Sequence, residues 1–171
     1  MRAGTARRAL QLAGLALAML LVGCAAPQWE KPGAPRADVL SRLGKPTARY
    51  ALPDGERLQY SQQPAGIQVH NLDFDATGRL VRVEQTLDPG KFGRIQIDRW
   101  TARDVELMFG KPALLERVAL FDGVVWTYRY RDVSGFGFRR LHLHLDPSGV
   151  VRKWLITEEI EPEPREFPER R

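Results

Sequence analysis

The chain has 171 residues, 43% hydrophobic and 27% charged, a composition that suits one compact domain or two small ones and excludes a wholly disordered chain. The formal charge of +5 overstates its basic character, because three of the 26 basic residues (Arg2, Arg7, Arg8) precede residue 24, leaving 23 against 21 acids. Near balance, with no recognition motif, excludes nucleic acid as a partner, and the single cysteine excludes an internal disulfide.

In chain order, residues 1–23 read as a secretory signal peptide: a basic start, then an apolar run from Ala9 to Val22 that is short for a bilayer-spanning helix. The run ends in Leu21-Val22-Gly23-Cys24, which resembles the lipobox of bacterial lipoproteins. That resemblance implies cleavage before Cys24 and acylation of its thiol, palmitate included. With Ala25 rather than Asp following, it also implies an outer-membrane address facing the periplasm. Residues 24–35, rich in Pro and Ala, read as a flexible tether. Residues 158–171 are charged and Pro-rich and read as a disordered tail in which Glu158 and Glu159 are solvated.

Between tether and tail the sequence repeats itself. "ADVLSRLGKP" (37–46) aligns with "RDVELMFGKP" (103–112), "DGERLQYS" with "DGVVWTYR", and "NLDFDATGRLVRV" with "HLHLDPSGVVRKW". Each unit, 36–97 and 98–157, predicts a short helix followed by four strands. Apolar residues recur at helical spacing at Val39, Leu40 and Leu43, and again at Val105, Leu107, Met108 and Phe109. Thr101 and Asp104 predict a capping box. Gly44-Lys45-Pro46 and Gly110-Lys111-Pro112 end the two helices: glycine for a left-handed cap, lysine at the negative end of the dipole, proline to stop propagation. Neither copy is a phosphate loop, since the spacing fails and the helix precedes the glycine. The fold class is α+β, two tandem helix-plus-four-strand units with one antiparallel sheet or two abutting ones and helices on one face.

The lipobox Cys24, "DVLSRLGKPT", "DVELMFGKP" and the aromatic strand "VVWTYRY" together resemble the BamE (SmpA/OmlA) family of outer-membrane lipoproteins. The resemblance covers most of the chain after Cys24. It implies a non-enzymatic, lipid-anchored accessory of outer-membrane β-barrel assembly or envelope integrity, with assembly-machinery subunits as partners. Tandem units are also similar to the β-lactamase-inhibitor protein, whose two units form one concave sheet. The alternative is therefore a periplasmic hydrolase inhibitor binding on an eight-stranded concave face.

No catalytic constellation, metal site or cofactor motif is evident. Asp73, Asp75, Thr77, Gly78 and Glu84 match a calcium-loop spacing, but strand-like flanks predict a plain hairpin turn. His142 and His144 share one side of a strand without a third zinc ligand. Trp126, Tyr128 and Tyr130 alternate, and Leu58 and Tyr60 at matching positions favour a core role over a partner-binding stripe. If Leu141, Leu143 and Leu145 point inward, then Arg129, Arg140, His142, His144 and Lys153 share the helix-free face. That face is either merely solvated or a site for an acidic protein or anionic lipid headgroups.

Overall fold

The computed structural model describes residues 26–132 and 137–159; Cys24, the signal segment and the tail beyond Glu159 lie outside the described residues. A 3₁₀ turn (Pro27–Trp29) leads into α1 (Arg36–Leu43), β1 (Ala48–Leu52), β2 (Gly55–Ser61), β3 (Val69–Asp75) and β4 (Leu80–Gln85). Then come α2 (Pro89–Phe92), α3 (Ala102–Phe109), β5 (Leu114–Glu116), β6 (Val124–Arg131), β7 (Phe138–Leu145) and β8 (Val151–Glu158). The strands form two separate four-stranded antiparallel sheets, β1-β2-β3-β4 and β5-β6-β7-β8. The fold is α+β, and among the described residues the single eight-stranded concave sheet expected of an inhibitor-like arrangement is not formed.

Local chemistry explains the matching elements. The N–H of Thr101 donates to the Asp104 carboxylate at 2.8 Å and the Asp104 N–H returns to Thr101 Oγ1 at 3.4 Å, completing the capping box of α3. Both helices stop at the repeated glycine, whose N–H bonds the carbonyl four residues back, Leu40 or Glu106. The φ values, 73° at Gly44 and 74° at Gly110, are positive as expected, but ψ is −158° and −166°. This is not the left-handed helical cap; it is a region open essentially to glycine alone, and it swings the chain straight into Lys-Pro. A repeated tyrosine closes each end: Tyr60 Oη donates to the Gly44 carbonyl at 3.0 Å, and Tyr128 Oη to the Gly110 carbonyl at 2.7 Å. The register shifts also recur, at Asp73/Phe74 and at His144/Leu145.

The sheets and helices stack in layers. One face of the first sheet, with Leu58, Leu72 and Phe74, packs on Val39, Leu40 and Leu43 of α1. On the second sheet, Tyr128, Tyr130, Leu141, Leu143 and Leu145 pack on Val105, Met108 and Phe109 of α3. Tyr128 and Tyr130 of the aromatic stripe are therefore core, and Trp126 is partly buried against it. Phe92 of α2, an element with no counterpart in the sequence reading, is 1% exposed and stands edge-on to Tyr130 with centroids 5.1 Å apart.

The opposite face of the first sheet is not open, because the C-terminal end of α3 sits on it. The last carbonyls of a helix lack intrahelical donors, and here the first sheet supplies them to Leu107 and Met108 and adds a second donor to Glu106, which already accepts from the Gly110 N–H. Arg57 Nη1 donates to the Leu107 carbonyl at 2.9 Å, Asn71 Nδ2 to Met108 at 3.0 Å and Gln59 Nε2 to Glu106 at 3.2 Å. These three side chains are buried, and such donors are tolerated there because each finds a partner. Gln63 adds a second lock. Beyond the short β5 the Gln63 carboxamide reaches β6, its Nε2 donating to the Arg129 carbonyl at 2.7 Å. The layer order is thus α1, first sheet, α3, second sheet.

Both ends of the folded region extend further than the sequence suggests. Residues expected to be a free tether are docked from Pro27 onward. Arg42 of α1 makes a bidentate contact with Glu30 at 3.0 and 2.6 Å, and the Gly33 N–H donates to the Leu80 carbonyl at 2.7 Å. At the other end, β8 includes Glu158, and the Glu159 N–H still pairs with the Phe138 carbonyl at 2.9 Å.

Candidate functional site

The helix-free face of the second sheet occupies the position that, on the first sheet, is filled by α3. Cross-strand register places Arg129 opposite Arg140, Thr127 opposite His142, Val125 opposite His144, and His144 opposite Lys153. The five residues read from alternation as one face are on one face.

Their electrostatics differ from a plain basic patch. Arg129 Nε and Arg140 Nη2 both donate to the Glu159 carboxylate, at 2.7 and 2.9 Å. That carboxylate is 11% exposed, so Glu159 is not a solvated tail residue; Glu158, 79% exposed, is close to that expectation. Burial alone would raise the Glu159 pKa, but the two guanidinium hydrogen bonds outweigh it and hold the pKa below the usual value. The Arg129 guanidinium also lies 5.2 Å from the centroid of Phe138.

His142 is held on both sides. Thr127 Oγ1 donates to Glu116 at 3.2 Å, so its lone pair receives Nδ1–H of His142 at 2.9 Å, and the neutral ring accepts from Thr157 at Nε2 across 2.8 Å. His144 meets the edge of Phe121 at 4.9 Å between centroids. Burial lowers the pKa of both histidines; at His142 this outweighs the opposing Glu116 carboxylate, and neighbouring cations (Arg140 for His142, Lys153 for His144) push the same way as burial. Lys153 is exposed and makes no ion pair among the described residues. Among the described residues the face therefore offers a neutral histidine pair, one unpaired cation and an arginine pair already holding a carboxylate.

The other candidates resolve structurally. Asp75 is consumed by its own turn, accepting from the N–H groups of Thr77 and Arg79 at 2.9 and 3.0 Å, and Asp146 repeats this with Ser148 and Val150, both at 2.9 Å. Asp73 is held by Arg57 and Arg82 at 2.6 and 2.7 Å, and Glu84 by Arg94 at 2.7 Å. The calcium-like spacing is a hairpin whose carboxylates point to different partners. Among the described residues no group of three His, Cys, Asp or Glu side chains is placed to hold a metal ion.

Sequence reasoning passed over one feature at the rim of the second sheet. A cavity of about 330 Å³ is lined by Ala102, Val124, Trp126, Leu145, Arg117 and Asp122, among others. At the positions matching Ala102 and Val124 the first unit carries Arg36 and Glu56, joined at 3.0 Å. Exchange of an ion pair for two small apolar side chains leaves the opening in the second unit. Comparing the repeats position by position was the signal that could have found it.

No family model matches this chain, and no curated protein matches it. It is similar to a solved structure, the crystal structure of a DUF4309 family protein (YjgB) from Bacillus subtilis, at 13% identity over 74% of this chain and 79% of that one, with a TM-score of 0.31. A likeness at that level carries no argument about fold or role. No helix among the described residues is long and apolar enough to cross a membrane.

Proposed function

We propose that this chain is a non-enzymatic binding module, lipid-anchored through Cys24 in the periplasmic leaflet of the outer membrane, and an accessory in β-barrel protein assembly or envelope integrity. The observation that supports a binding role is the inequality of two equivalent surfaces. The polar face of the first sheet is used up by α3, whereas the matching face of the second sheet presents Arg129, Arg140, His142, His144 and Lys153 with no helix of the described residues packed over it. Anchoring raises the local concentration of that face for partners in the same membrane. The link to barrel assembly rests on the resemblance of the lipobox and the two helix-Gly-Lys-Pro segments to the BamE family.

Capture from detergent-solubilised membranes tests it, using the acylated chain and its Lys153→Glu variant. Barrel-assembly subunits should be recovered with the parent chain and reduced with the variant, because the change inverts an exposed charge without breaking an ion pair. Recovery of a soluble hydrolase in place of those subunits would refute the assembly role. Equal recovery with the variant would refute the use of this face.

A further inference from the structure

The docked N-terminal segment fixes how the domain must sit on a bilayer. The inference rests on acylation at Cys24. From Cys24 to Pro27, where the 3₁₀ turn begins, there are three Cα steps, a span of at most about 11 Å. Folded structure therefore starts within the reach of a headgroup layer. A free tether of twelve residues would have left the domain's orientation unconstrained; the docked segment does not, because Glu30 is clamped by Arg42 and Gly33 is bonded to Leu80.

What the segment presents at that point is suited to an interface. Trp29 is 62% exposed, although indole is a large amphipathic ring with a single N–H donor. Lys31 is exposed beside it and makes no ion pair among the described residues. The two border a shallow groove of about 320 Å³ whose other walls are Ala26, Ala34 and the ion-paired Glu30 and Arg42. Tryptophan with an adjacent cation is the combination that settles at headgroup depth, the ring among the upper acyl carbons and the ammonium among phosphates.

We infer that the surface formed by Trp29 and Lys31 is a membrane-contact site, and that it holds the α1 side of the domain against the bilayer. The layer order then sets the rest. α1 covers one face of the first sheet, α3 ends on the other, and α3 packs on the inner face of the second sheet, so the Arg129–Arg140–Lys153 face lies on the far side of the second sheet from α1. That face looks away from the lipid, toward proteins of the periplasm. Of the two ligand chemistries a basic face could serve, this orientation assigns it the acidic protein and assigns the headgroups to Trp29 and Lys31.

The test uses the full, acylated chain in vesicles of phosphatidylethanolamine and phosphatidylglycerol, part of the lipid carrying bromine on its acyl chains. The fluorescence component that disappears in Trp29→Phe isolates this indole from Trp100, Trp126 and Trp154. That component should lose about half its intensity or more in brominated vesicles. In parallel, a nitroxide is attached to Lys153→Cys, whose thiol is the only free one when Cys24 is acylated. It should respond to an aqueous paramagnetic reagent and not to a lipid-soluble one. An unquenched Trp29, or a nitroxide at 153 that reports lipid, would overturn the proposed orientation while leaving the anchor intact. A chain recovered without fatty acid on Cys24 would overturn the anchor and, with it, this inference.

Discussion

Tyr128 and Tyr130 lie two residues apart on β6, both fully buried, both in the core of the second sheet. Deleting the hydroxyl of each should have opposite consequences. Tyr128 Oη donates to the Gly110 carbonyl at 2.7 Å; burial pushes its pKa well above 10.0, so it remains a donor throughout the accessible pH range. Tyr128→Phe removes that bond and leaves the carbonyl of a buried glycine without it, a loss of about 2 kcal/mol. Tyr130 Oη is buried with no hydrogen-bond partner among the described residues. Tyr130→Phe therefore removes a polar group already paying its desolvation, and stability should be unchanged or rise by about 1 kcal/mol. The gap of at least about 2 kcal/mol corresponds to roughly 8 °C in Tm for a domain of this size. Tyr60→Phe is an internal control. It breaks the same latch, at 3.0 Å, at a half-exposed site where water can replace the phenol, so it should lose less than about 1 kcal/mol. Urea unfolding followed by circular dichroism measures all three. Equal destabilisation by Tyr128→Phe and Tyr130→Phe would show that ring packing alone decides stability at this strand and would refute the latch.

Alanine at the two helix-ending glycines should separate in the same way. Both carry the glycine-only backbone, with a penalty of about 1–3 kcal/mol, but a Cβ at Gly44 meets nothing within 4 Å whereas one at Gly110 comes 2.8 Å from Oε1 of Gln59. Thermal melts should rank Gly110→Ala below Gly44→Ala. Asn71→Leu, which strips donors from the carbonyls of Leu107 and Met108, should lose about 1–3 kcal/mol, and an unchanged urea midpoint would contradict the capping role. The three histidines, His70, His142 and His144, all have pKa values lowered first by burial. Groups of this kind bind protons more readily in the unfolded chain, so stability is full above the ordinary value of 6.5 and declines as pH falls below it. Urea midpoints at about pH 7.5 and about pH 5.5 should show this decline, and His70→Gln should shrink it.

The duplication was legible because its markers are local devices: helix-ending Gly-Lys-Pro, the Asp-x-x-Gly turns and a tyrosine at one fixed place in each copy. Alternation also placed the core face of the second sheet, since Tyr128, Tyr130, Leu141 and Leu143 follow a strict period of two. The fate of the first sheet's polar face was not legible. Arg57, Gln59, Asn71 and Asp73 have the pattern of residues facing water, and nothing local distinguishes a side chain that bonds solvent from one that bonds a helix end fifty residues away. Glu159 misled for a related reason: its neighbours read as a solvated tail, while its partners are two arginines on other strands. The N-terminal segment misled through its prolines. Pro27 opens a 3₁₀ turn and Pro35 precedes α1, so their rigidity shapes docked structure, where composition alone suggested a spacer.

The placement of α3 between the two sheets bears on modularity. In an ordinary tandem repeat each copy closes its own core, and cutting the linker yields two smaller proteins. Here the second copy's helix is shared property: one side completes the core of its own sheet and its end satisfies the polar face of the other. A fragment ending before α3 would keep its core and expose a socket of buried arginine, glutamine and asparagine; a fragment beginning after β4 would carry bare helix carbonyls. The chain is duplicated in sequence but indivisible in structure, and limited proteolysis should find no cleavage that releases either half in a folded state.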